Sequence, residues 1–155
     1  MRAALIAGLV LVAAPAVARE SLGVHGGWAA FRDASPRRCY AIAAPGSAGG
    51  RGRGFVTVAT WPGGPRAQLY VRLSQPRSPN ARVTISIGQR RFALTAGDSD
   101  AWAPDARADA AIIAAMRGGR AMSVETLGLR GVPFADAYAL DGAATAIDAA
   151  TLGCL

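Results

Sequence analysis

Apolar and polar residues alternate with a period of two along most of this chain, and clusters of Gly, Pro, Ser and Asn interrupt the alternation at short intervals. That period marks strands with one buried face. Ser21 to Asp33 has the apolar content of one strand, entered through Gly23, Gly26 and Gly27. Ala34-Ser35-Pro36 turns the chain into Arg38 to Ala43, with Cys39, Ala41 and Ala43 on one face and Tyr40 and Ile42 on the other. The two segments are expected to pair as a hairpin. Pro45 to Gly54 is expected to be a mobile loop, because Gly and Ser offer little side chain to pack.

The same alternation continues beyond that loop. Phe55 to Trp61 mixes aromatic and β-branched residues with small ones, which suits a strand. Pro62 to Pro65 forms a tight turn into Ala67 to Leu73, where Leu69, Val71 and Leu73 face one way. Gln75 to Asn80 turns again. Arg82 to Ile87 sets Val83, Ile85 and Ile87 against Arg82, Thr84 and Ser86. Gly88-Gln89 links it to Arg90 to Thr95, the tightest hairpin signal in the chain.

The period then changes. Asp105 to Arg117 is rich in helix formers, has Asp105 and Asp109 near its start and Arg117 near its end, and stops at Gly118-Gly119. That polarity matches the helix dipole, and Ile112, Ile113 and Met116 make its packing stripe. Ala121 to Leu127 returns to a strand, with Met122, Val124 and Thr126 on one face. Val132 to Leu140 is another, alternating Phe134, Asp136 and Tyr138 with Ala135 and Ala137. Asp141 is placed to cap a last helix over Gly142 to Leu152. About eight short strands with one or two helices in the C-terminal half predict a mainly β domain, an antiparallel sandwich or a barrel-like fold.

The first 18 residues stand apart. Met1-Arg2, the apolar run Ala3 to Ala14, Pro15 and the small-residue exit Ala16-Val17-Ala18 have the three parts of a cleavable signal peptide. The run is shorter than the roughly 17 residues that a membrane span requires. Residues 19–155 are then expected to form a single domain in the periplasm or outside the cell, with no transmembrane segment. Export changes the meaning of Cys39 and Cys154, the chain's two cysteines. In an oxidising compartment an even count favours a disulfide, the alternative being two buried thiols. Their spacing supplies neither a C-x-x-C pair nor, with a single histidine, a zinc ligand set.

The net charge of +7 comes from 17 arginines with no lysine. It attracts anionic lipid, polysaccharide or nucleic acid without specifying which. Arg37, Arg38, Arg90 and Arg91 flank turns, and Arg51 and Arg53 lie in the Gly-rich loop, so a fold that gathers them creates an anion-binding patch; otherwise they form an ordinary solvated surface. Gly49 to Gly54 lacks the Lys-Ser/Thr and the strand-to-helix setting of a phosphate loop. Its RGG-like character is no argument for specific nucleic-acid binding in an exported chain. His25, the sole histidine, has no G-x-S-x-G nucleophile to serve. Asp98, Asp100 and Asp105 resemble the start of a calcium loop without its later ligands. They are better read as a loop that caps the helix, with Trp102 anchoring it to the core. No catalytic residue, metal or cofactor is implied.

Three stretches resemble the invasion-associated locus B family of secreted bacterial proteins. They are Gly26 to Ile42 (GGWAAFRDASPRRCYAI), Ile112 to Val124 (IIAAMRGGRAMSV) and Tyr138 to Asp148 (YALDGAATAID). The resemblance implies a β-rich exported fold, a link to host-cell interaction in the founding members and no catalytic residues. Family members usually carry a cysteine soon after the opening Trp, which pairs locally with the position of Cys39. Here the strand reads Trp28-Ala29-Ala30-Phe31, which leaves Cys154 as the partner. The functional expectation is a non-enzymatic binding or interaction protein whose partner is a protein or an anionic envelope component. A small extracytoplasmic hydrolase and a basic protein adhering to anionic polymer or lipid are the alternatives.

Overall fold

The computed structural model describes residues 19–155, so the signal-peptide reading of residues 1–18 lies outside the described residues. The domain is mainly antiparallel β, as the alternation predicts. Five strands run as a meander: β1 (Arg19–His25), β2 (Trp28–Ala34), β3 (Arg37–Ala43), β4 (Phe55–Thr60) and β5 (Gln68–Arg72). A second meander follows: β6 (Val83–Ile87), β7 (Arg90–Ala96) and β8 (Asp100–Trp102). Helix α1 (Ala106–Gly118) then leads to the hairpin of β9 (Ala121–Leu127) and β10 (Pro133–Ala139), and α2 (Ala143–Gly153) ends the domain.

The ten strands form one continuous sheet in the order β1-β2-β3-β4-β5-β8-β7-β6-β9-β10. The sheet curls without closing. Its two ends meet through a few contacts: the Trp28 indole Nε1–H donates to the Ala139 carbonyl at 2.9 Å, and Ser47, beyond β3, makes an isolated bridge with Ala137. The core fills the curl. Val56, Val58, Leu69 and Val71 from the first half face Val83, Ile85, Val124 and Tyr138 from the second, with Ile112, Met116 and Ile147 from the helices. The faces read from the alternation of β5, β6, β9 and β10 are the ones buried here.

Helix α2 packs on β1 to β4, and the Cys39–Cys154 disulfide ties its end to β3, with a Cα separation of 5.7 Å. Asp105 caps α1 as expected, accepting from Ala108 N–H at 2.7 Å.

Three expectations need correction. Ser21 to Asp33 is two strands, because Gly26, at φ +56°, turns the chain sharply between His25 and Trp28. The acidic loop contains β8, a short strand that joins the two meanders by pairing with β5 and β7. Asp141 does not cap α2. The cap is Gly142 at φ +81°, where a Cβ would stand 1.9 Å from the His25 carbonyl oxygen, so the β1–β2 turn seats directly on the helix start.

The Gly-rich loop is also more tightly held than expected. Asp136 is wholly buried in β10 and accepts from Gly49 N–H, Ser74 N–H and the Ser74 hydroxyl. Gly49 and Gly52 approach the backbone of Ala135 and Ser74 too closely for any side chain. Glycines here are required by close packing, and Arg51 and Arg53 project from a docked loop.

Candidate functional site

Strands with one polar face leave the outer side of a sheet to water. Here the outer side of the first meander is aromatic. Register places Phe31, Tyr40, Ala59 and Gln68 in one row across β2 to β5, and Ala29, Ile42, Thr57, Tyr70 and Trp102 in the next, ending on β8. Phe55 stands in a third row, its ring centroid 5.9 Å from that of Tyr70. The start of α1 and the β4–β5 turn wall this face, supplying Asp109 and Trp61. The result is a cavity of about 620 Å³, lined mainly by aromatic and aliphatic side chains.

Its two ends differ in charge. At one end Arg19 and Arg38 clasp the buried Asp33, each donating Nε–H to a carboxylate oxygen at 3.0 Å. Both guanidinium groups lie over the Tyr40 ring, at 5.7 and 5.0 Å from its centroid. Burial alone raises the Asp33 pKa, but the hydrogen bonds and charges of the two arginines outweigh it and hold the carboxyl below its ordinary value. At the other end Asp109 accepts from Leu69 N–H at 2.8 Å. Burial pushes its pKa up, with the charge of Asp105 adding to the effect against that hydrogen bond. Beside the aromatic floor, Tyr70 and Arg72 both donate to Asp100 Oδ1, and these bonds outweigh burial to keep Asp100 more acidic than usual.

A greasy floor between an arginine pair and a reluctant acid has the chemistry to receive amphipathic groups. Nothing in it is a nucleophile paired with a base. His25 sits at the β1–β2 turn and is not among the lining residues. Its Nε2 is buried without a hydrogen-bond partner in the described residues. Of the three acids read as a possible calcium start, Asp100 is committed to Tyr70 and Arg72, and Asp105 to the α1 cap. No group of three or more His, Cys, Asp or Glu side chains converges on a metal-sized site among the described residues. Trp102 does not anchor the loop in the core: it is 40% exposed and forms part of the cavity rim.

The six candidate arginines are dispersed. Arg37 and Arg38 lie at the start of β3, whereas Arg51 and Arg53 lie in the loop beyond its other end. Arg90 and Arg91 are on β7, four strands away from β3 across the sheet. Arg90 stacks on Phe92, and Arg91 pairs with Glu125. The fold instead joins Arg38 to Arg19, which in the sequence marks only the start of the expected mature chain. The aromatic face was missed for a related reason. Arg38 to Ala43 and Phe55 to Trp61 carry apolar residues in both phases of their alternation, a signal that a second face also repels water.

No family model matches the chain, and no curated protein sequence matches it. A solved structure does: invasion associated protein B from Bartonella henselae, with a TM-score of 0.60 over 83% of this chain and 94% of that one. The chain shares the fold of that protein. At 10% identity the likeness concerns the course of the backbone alone. It agrees with the fold that the three sequence stretches imply.

Proposed function

We propose that this is an exported binding protein of the invasion-associated locus B type, working in the periplasm or outside the cell through the outer face of its first meander. The observation that carries the reading is the aromatic cavity between the Arg19–Arg38 pair and Asp109. Aromatic floors with a few fixed polar groups are the usual makeup of ligand and partner sites. The disulfide is compatible with a location outside the cytoplasm. No helix among the described residues is long and apolar enough to cross a membrane.

The partner is a protein or an anionic envelope component that offers apolar groups to Tyr40, Phe55, Tyr70 and Trp102. The test is cross-linked capture from the protein's own cell envelope, comparing wild type with Tyr70→Ala/Trp102→Ala. The reading expects a defined partner that the double variant loses at unchanged thermal stability. Equal recovery of every captured component by both proteins refutes it. An activity found by substrate screening and abolished by His25→Ala would replace it with the hydrolase alternative.

A further inference from the structure

A second surface is independent of the cavity. The turn between β9 and β10 raises an apolar tip into solvent: Leu127, Leu129 and Val132 are 41%, 64% and 58% exposed. Hairpin turns are normally polar, and no described element covers these side chains. The tip is ringed by arginine. Arg130 is in the turn itself, and Arg82 shares a shallow hollow with Leu127 and Phe134. The loop bearing Arg51 and Arg53 docks just below the tip, where Gly49 lies against Phe134 and Ala135. Among the described residues none of these four arginines forms an ion pair. Glu125, the acid in the same hollow, is already bound to Arg91.

We infer that the β9–β10 tip docks on an anionic phospholipid surface, with Leu129 and Val132 entering the interface and the surrounding arginines meeting the headgroup phosphates. The two halves of the pattern select this occupant. A soluble polyanion uses the arginines and leaves the apolar tip in water. A neutral apolar partner leaves four unpaired cations without counter-charge. A headgroup layer over acyl chains satisfies both. Arginine also suits the boundary, because its stem packs on apolar surface while its head reaches phosphate.

The test is co-sedimentation of the protein, purified after export with its disulfide intact, with two kinds of vesicle at low ionic strength. One is made of equal parts phosphatidylglycerol and phosphatidylcholine, the other of phosphatidylcholine alone. Binding is expected to the first and not the second. Arg82→Gln/Arg130→Gln weakens it by roughly fivefold per arginine. Leu129→Glu/Val132→Glu weakens it by at least about tenfold. All forms share one N-terminus, so a difference between them belongs to the tip. Leu129→Ser/Val132→Ser serves in its place if the glutamate pair lowers the melting temperature. Tyr70→Ala/Trp102→Ala keeps vesicle binding, which separates this surface from the cavity. The inference is overturned if wild type binds neither vesicle or both equally, or if either tip variant binds as wild type does. Retention on heparin that survives the loss of Leu129 and Val132, without vesicle binding, assigns the surface to polyanions and also overturns it.

Discussion

Asp33 and Asp109 are 6% and 8% exposed, yet their acidities move in opposite directions. Burial opposes ionisation in both. Asp33 has two guanidinium partners that reverse it, whereas Asp109 has one backbone N–H and a like-charged neighbour. The consequences for stability have opposite signs. A depressed folded pKa contributes stability above the ordinary value of 3.8, lost as pH falls through the folded value. A raised one contributes stability below 3.8, lost as pH rises through the folded value. Asp109→Asn keeps an acceptor for Leu69 N–H and carries no charge. It should therefore melt above wild type at neutral pH, with the gap closing in acid below the ordinary carboxylate value. Thermal scans across that range check this, and a gap that is constant with pH contradicts it.

At the scale of elements, the two helices are held by different means. Helix α1 has a side-chain cap, Asp109 bound to β5 and a stripe of Ile112, Ile113 and Met116 in the core. Helix α2 has no side-chain cap, and its buried residues are Ala143, Ala146, Ile147 and Ala150. Small residues bring it close to β1 to β4 but bury little area each, so the disulfide matters more here. It closes a separation of 115 residues. Cys154→Ala should cost about 2–4 kcal/mol in denaturant unfolding. The native protein should show no alkylatable thiol by mass. Two alkylated cysteines in native oxidised protein contradict the bridge.

At the scale of the molecule, an open sheet of ten strands needs something to hold its ends together. Asp136 is central to that closure, because its three donors come from the Gly-rich loop and from the segment just after β5. Removing the carboxylate leaves buried N–H and O–H groups with nothing to accept them. Asp136→Ala should therefore destabilise the fold by several kcal/mol, at about 1–3 kcal/mol for each buried donor left unpaired. Ser74→Ala, which removes one of the three donors, should cost nearer about 1 kcal/mol. Denaturant curves for both measure the difference, and similar small losses would show that Asp136 is not the closing tie.

Most strands and both helices were legible because their evidence is local. Val83, Ile85 and Ile87 declare a buried face by their spacing, and Asp105 and Arg117 declare a helix by their polarity. The pairing of Cys39 with Cys154 followed from their count and the expectation of export. What else depended on partners distant in sequence was not legible. Three-residue β8 is a strand only because β5 and β7 flank it. The start of α2 requires Gly142 because the His25 carbonyl, distant in sequence, occupies the space of a side chain there. Arg19 met Arg38 because antiparallel register sets both beside Asp33, and the aromatic rows exist because four strand links bring Phe31, Tyr40, Thr57, Tyr70 and Trp102 onto one face. Periodicity reports which side of a strand avoids water. Which residues then share a surface is settled by strand order and register, and those are fixed only when the whole sheet assembles.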